Sequence, residues 1–304
     1  MELRELGRSG LKVSALSLGA MNFGSDWLGC GAADEKTARS MLDAAADAGV
    51  NLVDTAEVYG HGASESMLGK LLKGRRSKFL IATKFSRWDR PMREALEGSL
   101  RRLKTDHVDL YMPHSFDPHF PLEDMLGQLE RLKEQGKVRV PGCSNFRCGD
   151  WKAGLGRTRL EFDQVQFSLA MPHAERDLAH LLESERLSLL AWSPLGGGFL
   201  AGGPHGRRSR PEAFPRLDEK RLSHLLELLR RVAELERLSM AQTALAWVLS
   251  KPWVASATVG ATRPEQLQET LKPCKLSPVA LSLLDRAGRA VAGWVTSSGT
   301  RRRP

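Results

Sequence analysis

Short β-branched or leucine-rich runs recur along the chain, with helical patterns between them. Ala15–Leu18, Val50–Val53, Phe79–Ala82, His107–Tyr111, Lys137–Val140, Phe162–Gln166, Ser188–Ala191 and Val254–Val259 each read as a strand. The first seven start 25 to 35 residues apart, the length of one βα unit. Between them the apolar positions follow a 3.6-residue period. Ala38, Met41, Leu42 and Ala45 share one helical face, after a candidate N-cap at Asp34 and before Gly49. Leu122, Met125, Leu126, Leu129 and Leu132 form a second stripe that ends at Gly136, and Met92, Leu96, Leu100 and Leu103 form a third. Stripes of this kind are core faces of amphipathic helices. Ahead of the first unit, LRELGRSGLKV reads as a β-hairpin turning between Gly7 and Gly10. The interval from Ser188 to Val254 is long. It holds a Gly/Pro/Arg-rich stretch, Gly196 to Pro215, and an amphipathic segment, Leu222 to Leu238, which predict a long loop plus an extra helix between strands 7 and 8.

Strands alternating with helices suit either a doubly wound sheet or a closed barrel. Periodicity does not separate them, because both bury their strands on each face. The unusual polar residues do. Asp54 follows the second strand, Lys84 the third and His114 the fourth; Ser144 and Asn145 follow the fifth. Gln166 closes the sixth, and Trp192 with Ser193 closes the seventh. Taken singly, each has a plain alternative: a turn-forming Asp, a solvated Lys, a satisfied core His. Together they sit at C-terminal strand ends, which a barrel gathers around one mouth and a flat sheet spreads apart. The expectation is therefore an α/β chain forming one (β/α)8 TIM barrel over residues 1–304, with an N-terminal hairpin.

Composition changes this picture little. The 304 residues are 41% hydrophobic and 27% charged, ordinary for a domain with a sizeable core. MELRELGRSG has no apolar h-region, and no run of 18 apolar residues occurs, so membrane spanning and secretion are not expected and a cytoplasmic setting is. Cys30, Cys143, Cys148 and Cys274 form no CxxC pair and no Cys/His cluster, which fits a reduced compartment and no structural metal. The net charge of +9 gathers partly in Arg207, Arg208 and Arg210 and in Arg301, Arg302 and Arg303. No array of basic and aromatic residues accompanies these clusters, which argues against nucleic acid and for a plain solvated surface. Oligomeric state is left open.

At DTAEVYG, Asp54 to Gly60, the sequence resembles the aldo-keto reductase superfamily, and ordered matches continue through ATK (Ala82 to Lys84), DLYMPH (Asp109 to His114), GKVRVPGCSNF, WSPLGGGFLAG and GATRPEQLQET. The resemblance runs from about Leu3 to Leu284 and itself implies the barrel. It implies Asp54, Tyr59, Lys84 and His114 as catalytic residues. It implies a nicotinamide cofactor, NADP(H), held by Ser144, Asn145 and Gln166 at the carboxamide and by Trp192 against the ring. Ser193, Leu195 and Gly197 would lie along the pyrophosphate, and Gly260, Thr262, Arg263, Gln266 and Glu269 around the adenosine phosphate. The chain departs from the family pattern in four places. Pro113 and Pro141 replace aliphatic residues at strand ends, each removing a backbone N–H. Leu169 and Ala170 stand where Tyr-Asn is usual. Thr262 and Arg263 stand where Arg and a small residue are common, and Thr270 replaces a common Asn.

The chemistry is consistent with that resemblance. Carbonyl reduction needs a hydride donor, which no side chain supplies, and a proton for the developing alkoxide. An ordinary Tyr, with a pKa of about 10, is a reluctant acid unless a neighbouring ammonium stabilises its phenolate. The chain has two tyrosines, and Tyr111 falls within a strand, leaving Tyr59 in a loop. Lys84 would assist it, Asp54 would keep Lys84 charged, and His114 would polarise the carbonyl. Phe23, Trp27, Trp88 and Phe116 are candidate apolar walls of a substrate pocket by loop position. The alternatives are a nucleotide-binding regulatory subunit with slow or no turnover, like the channel-associated members of the superfamily, and a barrel hydrolase using Asp54 and His114, which the SNF and SPLGGG stretches disfavour.

Overall fold

The computed structural model describes residues 1–29, 31–86, 89–147, 149–151, 160–202, 219–272 and 274–295. Two short strands, β1 (Leu3–Glu5) and β2 (Lys12–Ser14), pair antiparallel as the expected hairpin. The barrel strands are β3 (Leu16–Gly19), β4 (Leu52–Asp54), β5 (Leu80–Phe85), β6 (Val108–Pro113), β7 (Val138–Pro141), β8 (Cys143–Ser144), β9 (Phe162–Gln166), β10 (Ser188–Trp192) and β11 (Val254–Val259). They form one parallel sheet in the order β7-β6-β5-β4-β3-β11-β10-β9-β8.

That order closes on itself, because β7 and β8 are two halves of the expected fifth strand. Val138–Pro141 pairs with β6, Cys143–Ser144 pairs with β9, and Gly142 joins them. Gly142 donates to Tyr111 O at 3.0 Å, while Glu161 N–H donates to Pro141 O at 3.2 Å from the other side. A Cβ at Gly142 would lie 2.3 Å from the Phe162 ring, so only glycine lets the strand cross between neighbours there. The prolines are accommodated. Pro113 and Pro141 are the last residues of their strands, and the next residues make the ladder bonds: His114 N–H to Phe85 O at 2.7 Å, and Gly142 as above.

Period-two alternation sorts the strand side chains. Leu52, Ala82, Leu110, Phe162 and Leu190 pack inside the barrel with Leu6 and Val13 from the hairpin, which plugs the end where the strands begin. Arg4 fastens that plug by donating to Val254 O (2.7 Å) and Leu249 O (2.9 Å). Odd-register residues such as Leu18, Val53 and Ile81 face outward onto the helices. The helix Glu35–Asp47 starts where Asp34 accepts from Thr37 N–H at 2.8 Å, and its stripe of Ala38, Met41, Leu42 and Ala45 is fully buried. Met92–Leu103 and Leu122–Glu134 bury their stripes in the same way, with Leu122 half-buried. Each such Leu or Met contributes on the order of 1.5–3 kcal/mol of burial.

The extra helical segment is Glu219–Glu236, burying Leu225, Leu229 and Val232, followed by Met240–Leu249 with a Ser239/Gln242 capping box. Most of the Gly/Pro/Arg-rich stretch lies outside the described residues, as do Cys30, Cys148 and Trp88. Among the described residues, no helix is long and apolar enough to cross a membrane. Strand ends run one to three residues beyond the expected limits at several positions, so Asp54 closes β4 and Lys84 lies inside β5 rather than after it.

Candidate active site

The same alternation that buries Leu52, Ala82 and Leu110 carries Asp54, Lys84 and, two steps beyond Met112, His114 up the barrel wall to its C-terminal mouth. Lys84 is 1% exposed, and its ammonium donates to Asp54 Oδ2 at 2.7 Å, Thr55 O at 2.8 Å and Tyr59 Oη at 3.4 Å. Burial alone would lower the Lys84 pKa; the Asp54 carboxylate and the Tyr59 hydroxyl outweigh it and raise the pKa above the ordinary 10.5. Lys84 is therefore a cation at neutral pH, held beside a phenol.

Tyr59 opens the short turn Tyr59–Gly62 after β4. Its N–H donates to Ala56 O at 3.1 Å, and the segment is pinned by Thr55 N–H to Ala82 O at 2.9 Å. Thr55 Oγ1 and Ser64 Oγ lie 2.7 Å apart, tying the turn to the following helix. Gly60 has φ +55°, and a Cβ there would meet Ser25 Cβ at 2.4 Å, so glycine is required for the chain to turn away behind the phenol. Tyr59 is 9% exposed. The other tyrosine, Tyr111, is fully buried with its hydroxyl toward Met92 O, and burial raises its pKa well above 10.

The His114 ring meets Tyr59 edge to face at 5.7 Å. Its Nδ1 lies 2.9 Å from Ser86 Oγ, and its carbonyl accepts from Asn145 Nδ2 at 2.9 Å. Asn145, at φ +59°, also donates to Ser144 Oγ (3.0 Å) and accepts from the Trp192 indole N–H (3.0 Å), while Ser144 Oγ donates to Gln164 O at 2.8 Å. The expected Ser144, Asn145 and Trp192 thus form one network with His114. The structure adds Gln164, whose Nε2 donates to Asp54 Oδ1 at 2.8 Å. Gln164 lies two positions before Gln166, the expected carboxamide partner, on the same strand face. The Gln166 Nε2, by contrast, is buried with no partner among the described residues.

The other expected cofactor residues come after β10 and β11. Ser193 (φ +50°), Leu195 and Gly197 (φ +65°) form successive turns after β10, with Gly196 N–H to Ser193 O at 2.9 Å. Gly260 follows β11. Thr262 donates through its N–H and Oγ1 to Gln266 Oε1, both at 3.1 Å, and Arg263 and Glu269 are exposed on the short helix Pro264–Thr270 and its cap. Of the candidate apolar residues, half-buried Trp27 meets His61 edge to face at 5.3 Å, and half-buried Phe116 meets Phe146 at 5.3 Å. Phe23 is a correction: it is fully buried and bridged to Ala33, which places it in the core behind the mouth. No cluster of three metal-ligating side chains occurs among the described residues.

A sequence model of the Aldo/keto reductase family matches residues 15–288. The chain belongs to the Aldo/keto reductase family. Among curated relatives, it is 36% identical to the oxidoreductase YrpG of Bacillus subtilis, over 91% of this chain and 92% of that protein. It is 33% identical to a putative voltage-gated potassium channel subunit beta of Schizosaccharomyces pombe, over 93% and 92%. Among solved structures, it matches the holo form of aldo-keto reductase AKR11C1 from Bacillus halodurans at a TM-score of 0.80 and 28% identity, covering 94% of this chain and 96% of that one. The family places the chain among oxidoreductases and accounts for the barrel.

Proposed function

We propose that the protein reduces an aldehyde or ketone to the alcohol with NADPH, Tyr59 giving the proton. The observation that carries this reading is the buried Lys84 ammonium, 2.7 Å from Asp54 and 3.4 Å from the Tyr59 hydroxyl at the barrel mouth. A phenol becomes a usable acid when a fixed cation stabilises its phenolate, and Asp54, held in turn by Gln164, keeps that cation charged. His114, across from Tyr59, donates to the carbonyl oxygen and polarises it.

The nicotinamide cofactor, when bound, supplies the hydride that no side chain can. The residues present fit it. The orphaned, buried Nε2 of Gln166 suits a ligand carbonyl, and the Trp192 ring beside it is half-buried and planar. Ser144 and Asn145 would hold the carboxamide, and Ser193, Leu195 and Gly197 would follow the pyrophosphate. Gly260, Thr262, Arg263, Gln266 and Glu269 would surround the adenosine end. Arg263, exposed and cationic, would favour the additional phosphate of NADPH. Trp27 and Phe116 would wall the substrate. The protein would act in the cytoplasm.

Channel-subunit relatives keep a second reading in view, a nucleotide-binding regulatory role with slow turnover. The assembled tetrad favours the enzyme. Tyr59→Phe tests it: the ring and its packing stay, the proton goes. Carbonyl reduction should fall about 100- to 10,000-fold with NADPH affinity nearly unchanged. Full activity in the variant, on any carbonyl the wild type reduces, would falsify the assignment.

A further inference from the structure

A neutral imidazole carries one proton, and the partner of one ring nitrogen decides which nitrogen holds it. In His114 that partner lies on the strand that carries Lys84. Ser86 follows β5 directly, and its Oγ is 2.9 Å from His114 Nδ1. The neighbouring Phe85 O accepts the His114 N–H at 2.7 Å, so main chain and ring dock onto two consecutive residues. Ser86 is itself held. Its N–H donates to Glu57 Oε1 at 2.7 Å, and the other Glu57 oxygen pairs with the Arg90 guanidinium. Glu57 is buried, two residues before Tyr59, and its N–H reaches Lys84 O at 3.5 Å. Glu57, Ser86 and His114 therefore join the Tyr59 turn, the Lys84 strand and the β6 terminus into one unit.

The chemistry of the partner matters. A carboxylate against Nδ1 would draw the imidazole proton to that nitrogen. Here the Glu57 carboxylate takes the Ser86 N–H and Arg90, and it is the Ser86 hydroxyl that lies against Nδ1. A hydroxyl that donates to Nδ1 leaves the proton on Nε2. We propose that Ser86 is a positioning residue: its hydroxyl, placed by Glu57, donates to His114 Nδ1 and holds the ring as the Nε2–H tautomer. This rests on the reading above in one respect, that His114 serves as a donor to a carbonyl oxygen.

The test does not need turnover. Protein labelled with 15N-histidine is examined by two-bond proton–nitrogen correlation spectra, with His114→Asn to assign the ring. Wild type should show neutral His114 protonated at Nε2, Ser86→Thr the same, and Ser86→Ala a shift toward the Nδ1–H tautomer. In parallel, kcat for a carbonyl should fall about 3- to 10-fold in Ser86→Ala, the worth of one hydrogen bond, at unchanged KM for NADPH, and recover in Ser86→Thr. A wild-type ring protonated on Nδ1, or a Ser86→Ala ring with the wild-type tautomer, overturns the assignment. Absence of carbonyl reduction by wild type would instead sink the enzymatic reading, while the spectra still decide the role of Ser86.

Discussion

Replacing Lys84 by Met removes the ammonium while keeping the length and apolar bulk of the stem inside β5. Two consequences can be worked from the structure. The first concerns the phenol. A unit charge 3.4 Å from the Tyr59 oxygen, at an effective dielectric constant of about 20, stabilises the phenolate by about 5 kcal/mol. If half of that is expressed at the transition state, kcat falls roughly 60-fold; if all of it is, the loss reaches several thousand-fold, by about a factor of ten per 1.4 kcal/mol. The second concerns the fold. Asp54 would remain a buried carboxylate with the Gln164 amide but without its cation, a change that costs about 3–5 kcal/mol. The double variant Asp54→Asn, Lys84→Met removes both charges and should recover much of the stability but none of the rate. The assay is NADPH consumption under single-turnover conditions on a carbonyl the wild type reduces, alongside urea denaturation of each variant. A folded Lys84→Met protein turning over within a few-fold of wild type would refute the claim that the ammonium makes Tyr59 an acid.

Two further outcomes are expected. Arg263→Ala should reduce the preference for NADPH over NADH by about 10- to 150-fold, the worth of one charge-assisted phosphate contact of about 1.5–3 kcal/mol; titration with both cofactors checks it, and an unchanged ratio places the phosphate clamp elsewhere. Asp163, on β9, lies fully buried beside Trp151, whose indole N–H donates to it at 2.8 Å, and burial raises its pKa from 3.8 to about 7. Because the folded state holds this proton more tightly than the unfolded chain, its contribution is favourable below about pH 4 and is lost as pH rises to 7. Asp163→Asn should therefore stabilise the protein above neutrality by up to about 4 kcal/mol and little at pH near 4. Denaturation curves at both pH values test this, and a pH-independent difference would contradict it.

Much of the architecture was legible because it depends on local patterns. Eight apolar runs at βα spacing, the Asp34 cap and the three helical stripes each reflect a rule acting over a few residues, and each recurs in the structure. The mouth was legible for the same reason: Asp54, Lys84, His114, Ser144, Gln166 and Trp192 mark strand ends, and the DTAEVYG resemblance named Tyr59. Gln164, two residues before Gln166 on the same strand face, carried no motif that marked it. Height along the barrel wall is another matter. That Gln164 and not Gln166 meets Asp54, 110 residues away, depends on the stagger between β4 and β9 around the closed sheet. The split of the fifth strand at Gly142 comes from the Phe162 ring opposite, and the burial of Phe23 comes from the packing of its loop against Ala33. Glu57, Ser86 and Arg90 gave no signal beyond ordinary loop polarity; their meaning arises where three strand ends converge. Sequence by itself determined which residues form strands and helices, which face each presents, and the candidate chemistry at the strand ends. Only tertiary structure decided which polar atoms meet, because hydrogen bonds are selected by distances of a few tenths of an ångström that local periodicity does not encode.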